Sequence, residues 1–365
     1  MLRIHFLNVG HGDCTIIEHP SGRITMVDIN NGDDLDDTSY DEILNELGAG
    51  STDRPVGPSR LADVLRVGST NPFASALSAL ELSRRGGTFE RSPSNASGLR
   101  QRALAVLREH TKRRLREAGY TVGLTNPVDF FIRKFPRQSV FRYIQSHPDL
   151  DHMRGLVAMR NAGIHILNFW DTQHDKVPEF RGEEDEAEWN AYEMLRQGSS
   201  GARVLRLYRG DTGAFWNQDP TGYGDHDSIE ILSPTPAIVQ EANKLGKSNN
   251  LSYVLRISYM GYRIVLGGDA ETEVWQDLVA HYGTDLRCDV LKASHHGRDS
   301  GYYADAVRLM SPDYTIVSVG KKPATDASNK YRRYCSNVWS TRWYGNLTLE
   351  ISRERGMRWF AEHVD

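Results

Sequence analysis

The feature that most constrains the fold is a recurring pattern in which an apolar run ends directly at acidic or imidazole side chains. Short apolar runs that end at Gly, Pro or Asp are typical of strands. Sheets built from such strands would deliver their polar ends to one edge, where a metal site with two ions could form. In chain order, the four polar clusters are MVDIN (26–30), SHPDLDH (146–152), LGGDA (266–270) and SHHG (294–297).

The densest cluster, SHPDLDH, contains four possible metal ligands within six residues. A turn at a strand end points alternate side chains into one pocket, and imidazole and carboxylate are common ligands of divalent metals. A polar loop with helix-capping aspartates is the alternative interpretation, but two His and two Asp at this density favour a metal site. The candidate ligands are His147, Asp149, Asp151 and His152.

The remaining clusters are weaker signals when each is taken alone. Two glycines before Asp269 let the backbone turn tightly and leave this carboxylate at a strand end. His295 and His296 are adjacent at another strand end, although lone histidines are most often structural. Further runs that predict strands are 2–9, 14–19, 203–208, 228–234, 251–259, 313–320 and 346–352.

Composition narrows the class of protein. With 39% hydrophobic and 25% charged residues, the chain is predicted to be globular. A net charge of −4 argues against nucleic-acid binding by bulk electrostatics, so that role would need a local basic patch or a metal site. The three widely spaced cysteines exclude a disulfide framework. The cysteines fit a reducing compartment, so we predict a cytoplasmic protein. No apolar run of about 18 residues and no secretory signal is visible, so we predict no membrane partner.

The chain is predicted to form one domain over 1–365 that carries two insertions. The insertion at 33–125 begins with an acidic stretch and continues into a basic helix at 99–119, so we expect it to be partly helical and basic. This helix is a candidate contact for nucleic acid or a protein partner, and a solvated surface is the alternative interpretation. The second insertion, 175–200, is predicted to be acidic surface with a helix at 182–198.

Taken together, these motifs resemble those of the metallo-β-lactamase superfamily, and within it the hydrolase domain of ComEC-type DNA-uptake proteins. The resemblance implies an α/β fold, a four-layered αβ/βα sandwich with helical insertions and with metals at one edge of its two sheets. In the ComEC-type relatives the position of His11 is usually Gln. The shared motifs are FLNVGHGD (6–13), MVDINNG (26–32), SHPDLDH (146–152), NNLSYVLRISYMGYRIVLGGDAE (249–271), LKASHHG (291–297) and IVSVG (316–320).

The resemblance also implies roles for individual residues. Asp28 would orient a ligand loop, and Asn249-Asn250 stand where a ligand His is usual, which weakens the first ion site. Asp149 also replaces a usual His. A site this rich in oxygen shifts the preference from Zn²⁺ towards Mn²⁺ or Mg²⁺. The predicted cofactor is Mn²⁺ or Zn²⁺, as one or two ions, with Mg²⁺ also possible. The implied metal ligands are His147, Asp149, Asp151, His152, Asp269 and His295, with His296 as the substitute for His295.

The function that we predict is metal-dependent hydrolysis of phosphodiester bonds, in the first place by a nuclease that uses a metal-bound hydroxide. The substrate would be nucleic acid or a nucleotide. One alternative is a small-molecule hydrolase, either a cyclic nucleotide phosphodiesterase or a lactonase. Another is a degenerate, metal-poor module that binds nucleic acid or protein through 33–125. The catalytic candidates are Asp151, Asp269, His296 and Lys292, and further phosphate or leaving-group contacts are Ser294, Arg298, Lys321 and Lys322.

Overall fold

The computed structural model describes residues 1–31, 123–320 and 325–363, and these residues form two β-sheets and eight α-helices. The strands are β1 (Leu2–Phe6), β2 (Thr15–Glu18), β3 (Ile24–Val27), β4 (Val140–Ile144), β5 (Ile166–Trp170), β6 (Arg203–Leu205), β7 (Ile229–Ser233), β8 (Val254–Tyr259), β9 (Tyr262–Leu266), β10 (Val290–Lys292), β11 (Tyr314–Val317), β12 (Asn337–Ser340), β13 (Leu347–Ser352) and β14 (Gly356–Ala361). The helices are α1 (Pro127–Lys134), α2 (Leu156–Asn161), α3 (Glu183–Arg196), α4 (Pro236–Leu245), α5 (Thr272–Tyr282), α6 (Ala304–Met310), α7 (Ser328–Tyr331) and α8 (Thr341–Tyr344).

The strand order explains why the polar clusters meet at one edge of each sheet. The first sheet has the order β14-β13-β1-β2-β3-β4-β5-β6, and the second has the order β12-β11-β10-β9-β8-β7. Strands β3 and β4 are parallel neighbours, and so are β9 and β10. Because the carboxyl ends of parallel strands lie at the same edge of a sheet, Asp28 lies beside the 146–152 loop, and Asp269 lies beside His295 and His296.

Side chains alternate between the two faces of each strand and build separate cores. In β9, Ile264 and Leu266 belong to the core between the two sheets, whereas Val265 belongs to the core under α5 and α6. In β2, Ile17 likewise faces the other sheet, and Ile16 faces the core under α1, α2 and α3. The layers therefore run helices, sheet, sheet, helices, and the predicted αβ/βα sandwich is confirmed.

The helix α3 differs from the predicted surface helix in one respect. The predicted helix at 182–198 is present as Glu183–Arg196, but one of its faces packs into the core of the first sheet through Trp189, Tyr192 and Leu195. Its acidic residues lie on the remaining faces or pair with cations, as Asp185 does with Arg154 at 2.8 Å. Helix α3 is therefore part of the core of the first sheet and not only a surface helix.

Several other sequence predictions concern the chain as a whole. The insertion predicted at 33–125 lies outside the described residues except for 123–125, and so do Lys321 and Lys322. The described residues before and after that insertion belong to one compact unit. Within the described ranges, no helix combines the length and the apolar character needed to cross a bilayer. The three cysteines are free, as predicted, and they are buried.

A buried ion pair connects the first sheet to the segment that enters the second. Arg142 of β4 donates to Asp227 Oδ2 at 2.9 Å, to Thr25 Oγ1 at 2.7 Å and to the Phe215 carbonyl at 2.6 Å. Both charged side chains are almost fully buried. His19 Nδ1 lies 3.9 Å from the same aspartate and has no hydrogen-bond partner among the described residues. The buried Arg142–Asp227 ion pair and the neighbouring His19 therefore lie where the first sheet connects to the segment that enters the second.

This cluster makes the free energy of unfolding depend on pH. Burial lowers the pKa of His19 to about 3, below its ordinary value of 6.5, so the unfolded chain takes up a proton first as pH falls. We expect His19 to cost about 2 kcal/mol of unfolding free energy between pH 7 and pH 5. Urea unfolding at both pH values measures this. Between pH 7 and pH 5, the unfolding free energy of His19→Gln should fall by about 2 kcal/mol less than that of the parent. An unchanged pH dependence in the variant would contradict this assignment.

Candidate metal centre

The 146–152 loop is held in place from inside the first sheet. Gln145 donates through Nε2 to the carbonyl of His147 at 2.8 Å and to that of His152 at 3.2 Å. A short 3-10 turn over Leu150–His152 then brings Asp151 to the mouth of the site, where it is about one quarter exposed. The loop therefore presents its side chains in a fixed arrangement.

Asp269 lies at the centre of the polar edge and joins the clusters of both sheets. Its Oδ2 atom is 3.4 Å from His152 Nε2 and 3.5 Å from His296 Nε2. The Nε2 atoms of His147 and His295 are each 3.9 Å from the same oxygen. Asp269 is buried, and its backbone N–H donates to Ser252 Oγ at 3.0 Å. The carboxylate is thus rigidly placed among four imidazoles.

Several buried atoms at this centre have no hydrogen-bond partner among the described residues. They are the Nε2 atoms of His147, His152 and His296 and the Oδ1 atom of Asp269. Leaving such atoms unpaired is costly, and native proteins rarely do so. A divalent cation would satisfy imidazole nitrogens and carboxylate oxygens together, so this donor set fits a metal ion. Groups whose ligand atoms lie within 4.8 Å of one another are His147/His152/Asp269, His11/Asp151/His296, Asp13/Asp269/His296 and Asp13/Asp28/His152.

Each of the three imidazoles is oriented by a partner on its other ring nitrogen. Such partners leave the lone pair of Nε2 directed into the site. Asp28, whose backbone is left-handed with φ of 57°, also accepts from the backbone N–H of Ser146 at 2.7 Å and thus holds the ligand loop, as the resemblance implies. The Nδ1 contacts are His147 to Ser146 Oγ at 3.0 Å, His152 to Asp28 Oδ2 at 2.8 Å and His296 to the Ser318 carbonyl at 3.1 Å.

The carboxylate of Asp269 and the neighbouring imidazoles each favour the charged form of the other. Although burial opposes ionisation, the neighbouring His296 and His152 hold the pKa of Asp269 well below its usual range. Despite their burial, Asp269 raises the pKa of both His152 and His296. A cation held here would therefore compete with protons for these nitrogens and would release them.

The structure corrects the choice between the two adjacent histidines. His295 was expected as the ligand, but its Nδ1 contacts Ser300 Oγ at 2.8 Å and its Nε2 approaches only Asp269. His296 Nε2 lies 3.5 Å from Asp151 as well as from Asp269. Both histidines have left-handed backbones, with φ of 52° and 53°, so the turn sends their side chains in directions that sequence spacing does not indicate. His296 therefore takes the position first given to His295.

Two candidate phosphate contacts are also corrected. Lys292 is buried and forms an ion pair with Asp13 beneath the centre. Ser294 is buried and donates through Oγ to the Ala270 carbonyl at 2.5 Å. Both side chains are buried, so neither is exposed at the opening of the site. Lys292 therefore balances the charge of Asp13 and does not serve as a phosphate contact.

The two asparagines expected near the ligand set make other contacts. Asn249 Nδ2 donates to Glu271 Oε1 at 3.2 Å. Asn250 Nδ2 donates to Glu273 Oε2 at 3.2 Å, and its Oδ1 accepts from the backbone N–H of Glu271 at 3.0 Å. Their carboxamides thus hold the start of α5.

His11 and Arg298 form the outer rim of the site, and sequence reasoning gave a site role only to Arg298. His11 Nε2 lies 3.8 Å from Asp151 Oδ2, and the His11 ring is 4.8 Å from the ring of His296. Arg298 Nη2, which was a candidate, lies 3.3 Å from the same His11 nitrogen. The signal was present in the glycines that flank His11, because a Cβ atom on Gly12 would collide with the Asp151 carbonyl. That close approach brings the N-terminal loop onto the ligand loop.

Comparisons with known proteins agree with the motifs. No protein-family model matches the chain. It is 29% identical over 110 residues to competence protein ComA of Neisseria gonorrhoeae, an alignment that covers 29% of this chain and 16% of ComA. It is 31% identical over 93 residues to ComE operon protein 3 of Bacillus subtilis, which covers 26% of this chain and 11% of that protein. The aligned region is thus a small part of either relative, and the predicted resemblance to the ComEC-type branch is confirmed.

The order of the motifs along two facing sheets decides the architecture. The chain forms a four-layered αβ/βα sandwich, as the resemblance to metallo-β-lactamases implies. Solved structures that align with it include CmlA, a diiron β-hydroxylase from Streptomyces venezuelae, which covers 95% of this chain and 54% of CmlA at 11% identity and a TM-score of 0.42. The metallo-β-lactamase fold protein YhfI from Bacillus subtilis aligns over 93% of this chain and 95% of YhfI, at 10% identity and a TM-score of 0.38.

Proposed function

We propose that this chain is a metal-dependent phosphodiesterase that hydrolyses nucleic acid. The observation that carries the proposal is the set of buried, unpartnered imidazole nitrogens around the Asp269 carboxylate. This donor set suits a divalent cation, and hydrolysis of phosphate esters is chemistry that such a cation supports. Nucleic acid is proposed because one similar protein is named competence protein ComA and because the motifs resemble those of ComEC-type DNA-uptake proteins.

The proposed ligands are Asp151, His152, Asp269 and His296. A divalent ion held there would lower the pKa of a water molecule towards neutrality and neutralise charge on the phosphate. Asp28 and the Ser318 carbonyl keep two of the imidazoles in the required tautomer and orientation. The partly exposed Asp151 carboxylate can accept a hydrogen bond from the attacking water and fix its position.

The rim of the site offers contacts for a phosphodiester. Arg298 is half-buried and lies next to His11, whose side chain is about 41% exposed. A guanidinium group binds two phosphate oxygens with parallel hydrogen bonds, which a neutral side chain cannot do. Arg298 would therefore hold the phosphate while the carboxylates behind it hold the water.

A substrate panel tests this function. Metal-free protein should nick supercoiled plasmid only after addition of Mn²⁺, Zn²⁺ or Mg²⁺, and EDTA should return the rate to background. Single-stranded DNA, RNA, a cyclic dinucleotide and a lactone would be tested in parallel under the same conditions. Hydrolysis of the cyclic dinucleotide or the lactone without nicking would identify a small-molecule hydrolase. Protein that binds no divalent ion at all would identify a metal-poor binding module.

A further inference from the structure

A lysine that sequence reasoning did not single out lies against the metal centre. Lys176, in the segment between β5 and α3, donates through Nζ to Asp149 Oδ1 at 2.5 Å and to Ser248 Oγ at 3.2 Å. The same Asp149 oxygen is 3.7 Å from His147 Nε2. A positive charge is therefore already in contact with a carboxylate that the resemblance assigns to a first metal ion.

The rest of that first ion site is depleted. The carboxamides of Asn249 and Asn250, which stand where a ligand His is usual, donate to glutamates at the start of α5. His147, His152 and Asp269 keep unpartnered ligand atoms close to one another. When His152 serves the other ion, His147 and the shared Asp269 remain for the first ion position. Two ligand side chains are too few to hold a divalent ion in competition with water, because protein sites for such ions use three or more.

The position of Lys176 is fixed by a buried network. Its backbone N–H donates to His174 Nδ1 at 3.2 Å, and His174 Nε2 lies 2.6 Å from the hydroxyl of Tyr192. That hydroxyl donates to Asp171 Oδ1 at 2.6 Å, and Arg196 donates to Asp171 Oδ2 at 3.0 Å and to the His174 carbonyl at 2.8 Å. Burial lowers the pKa of His174 to about 3, so its ring is neutral and Nδ1 accepts. Helix α3 and the end of β5 thus hold Lys176 in place.

We propose that the Lys176 ammonium takes the place of one cation, so that this chain binds a single divalent ion through Asp151, His152, Asp269 and His296. The inference rests on the proposed metal-dependent function and specifies its metal centre. An ammonium group at contact distance already balances the charge of Asp149 and repels a second divalent ion from the same pocket. Asp149 is then a partner of Lys176 and not a ligand of the bound ion.

Counting bound ions tests the proposal without reference to activity. Metal-free protein would be titrated with Mn²⁺ by calorimetry, and bound manganese would be counted after dialysis. We expect one ion per chain in the parent and two in Lys176→Met, which keeps the aliphatic stem and removes the charge. Electron paramagnetic resonance should show an isolated Mn²⁺ in the parent and a spin-coupled pair in the variant. Lys244→Met is the matched control, because Lys244 is exposed on α4 and pairs with Glu241.

A second variant keeps the test decisive if Lys176→Met does not fold. Asp149→Asn should leave the count at one ion per chain, because Asp149 is not a ligand of the bound ion. Two ions in the parent, or a loss of the bound ion in Asp149→Asn, would overturn the proposal. A count of one ion per chain in Lys176→Met would also overturn it. If that variant in addition raises the KM for DNA, Lys176 would be a phosphate contact. If the parent and every variant bind no ion, the proposed function itself fails.

Discussion

Asp269→Asn should abolish phosphodiester hydrolysis and lower divalent-ion affinity, because this carboxylate lies within 3.9 Å of four imidazole nitrogens. The substitution keeps the shape of the side chain and removes its negative charge. Loss of a partner that only orients a metal ligand typically costs about 10- to 100-fold, so loss of this central ligand should cost more than about 100-fold in rate. Plasmid nicking at saturating Mn²⁺ and a Mn²⁺ titration measure the two effects.

Asp305→Asn is the matched control for this experiment. Asp305 lies on α6, is about half exposed and contacts its chain neighbours Arg308, at 3.2 Å, and Tyr303, at 3.5 Å. It should retain the parent's rate and ion affinity. Circular dichroism would establish that Asp269→Asn is folded. Retention of full nicking activity by a folded, ion-free Asp269→Asn protein would rule out the proposed centre.

Asp227→Asn should lower the free energy of unfolding by about 3–5 kcal/mol. The substitution leaves the Arg142 guanidinium buried between the sheets without its counter-charge, and a buried charge in that position is strongly unfavourable. Burial already lowers the pKa of Arg142, which is the direction expected when the charged form is penalised. Urea unfolding at pH 7 measures the change.

The companion variant separates the cost of an unpaired charge from the loss of packing. Arg142→Met combined with Asp227→Asn removes the isolated charge and should recover part of the lost stability. The recovery would show as a higher midpoint than that of the single variant. A single-variant loss below about 1 kcal/mol would mean that water reaches Arg142 and that the pair behaves as an exposed one.

Much of the architecture was predictable because the core strands of both sheets have strong apolar patterns. The strands that sequence reasoning missed are those with mixed burial. In β5, Leu167 is 47% exposed and Asn168 uses its side chain to reach the Phe141 carbonyl, so the run has no clean periodicity. Strands β12 and β14 are edge strands, each paired on one side only. Edge strands are less completely buried, so their apolar pattern is weaker.

The sequence predicted which loops form the candidate site, but it did not predict the direction of every side chain. SHPDLDH and Asp269 follow strong strands, and the parallel pairing of those strands brings them together. The choice between His295 and His296 depends on left-handed backbone conformations that no local pattern encodes. Sequence analysis named Lys292 as a catalytic candidate and did not single out Lys176, and only tertiary packing places each lysine against an aspartate of the site. Sequence analysis thus found most of the donors but not the ion pairs that balance their charge.

The proposed ligands come from opposite halves of the sandwich: Asp151 and His152 follow β4 of the first sheet, whereas Asp269 and His296 follow β9 and β10 of the second. Each sheet alone would carry only part of a coordination sphere. A small slide of one sheet over the other would change every distance from Asp269 at once. Ion affinity would therefore report on the relative position of the two sheets. A core substitution far from the edge could then lower ion affinity without changing any ligand.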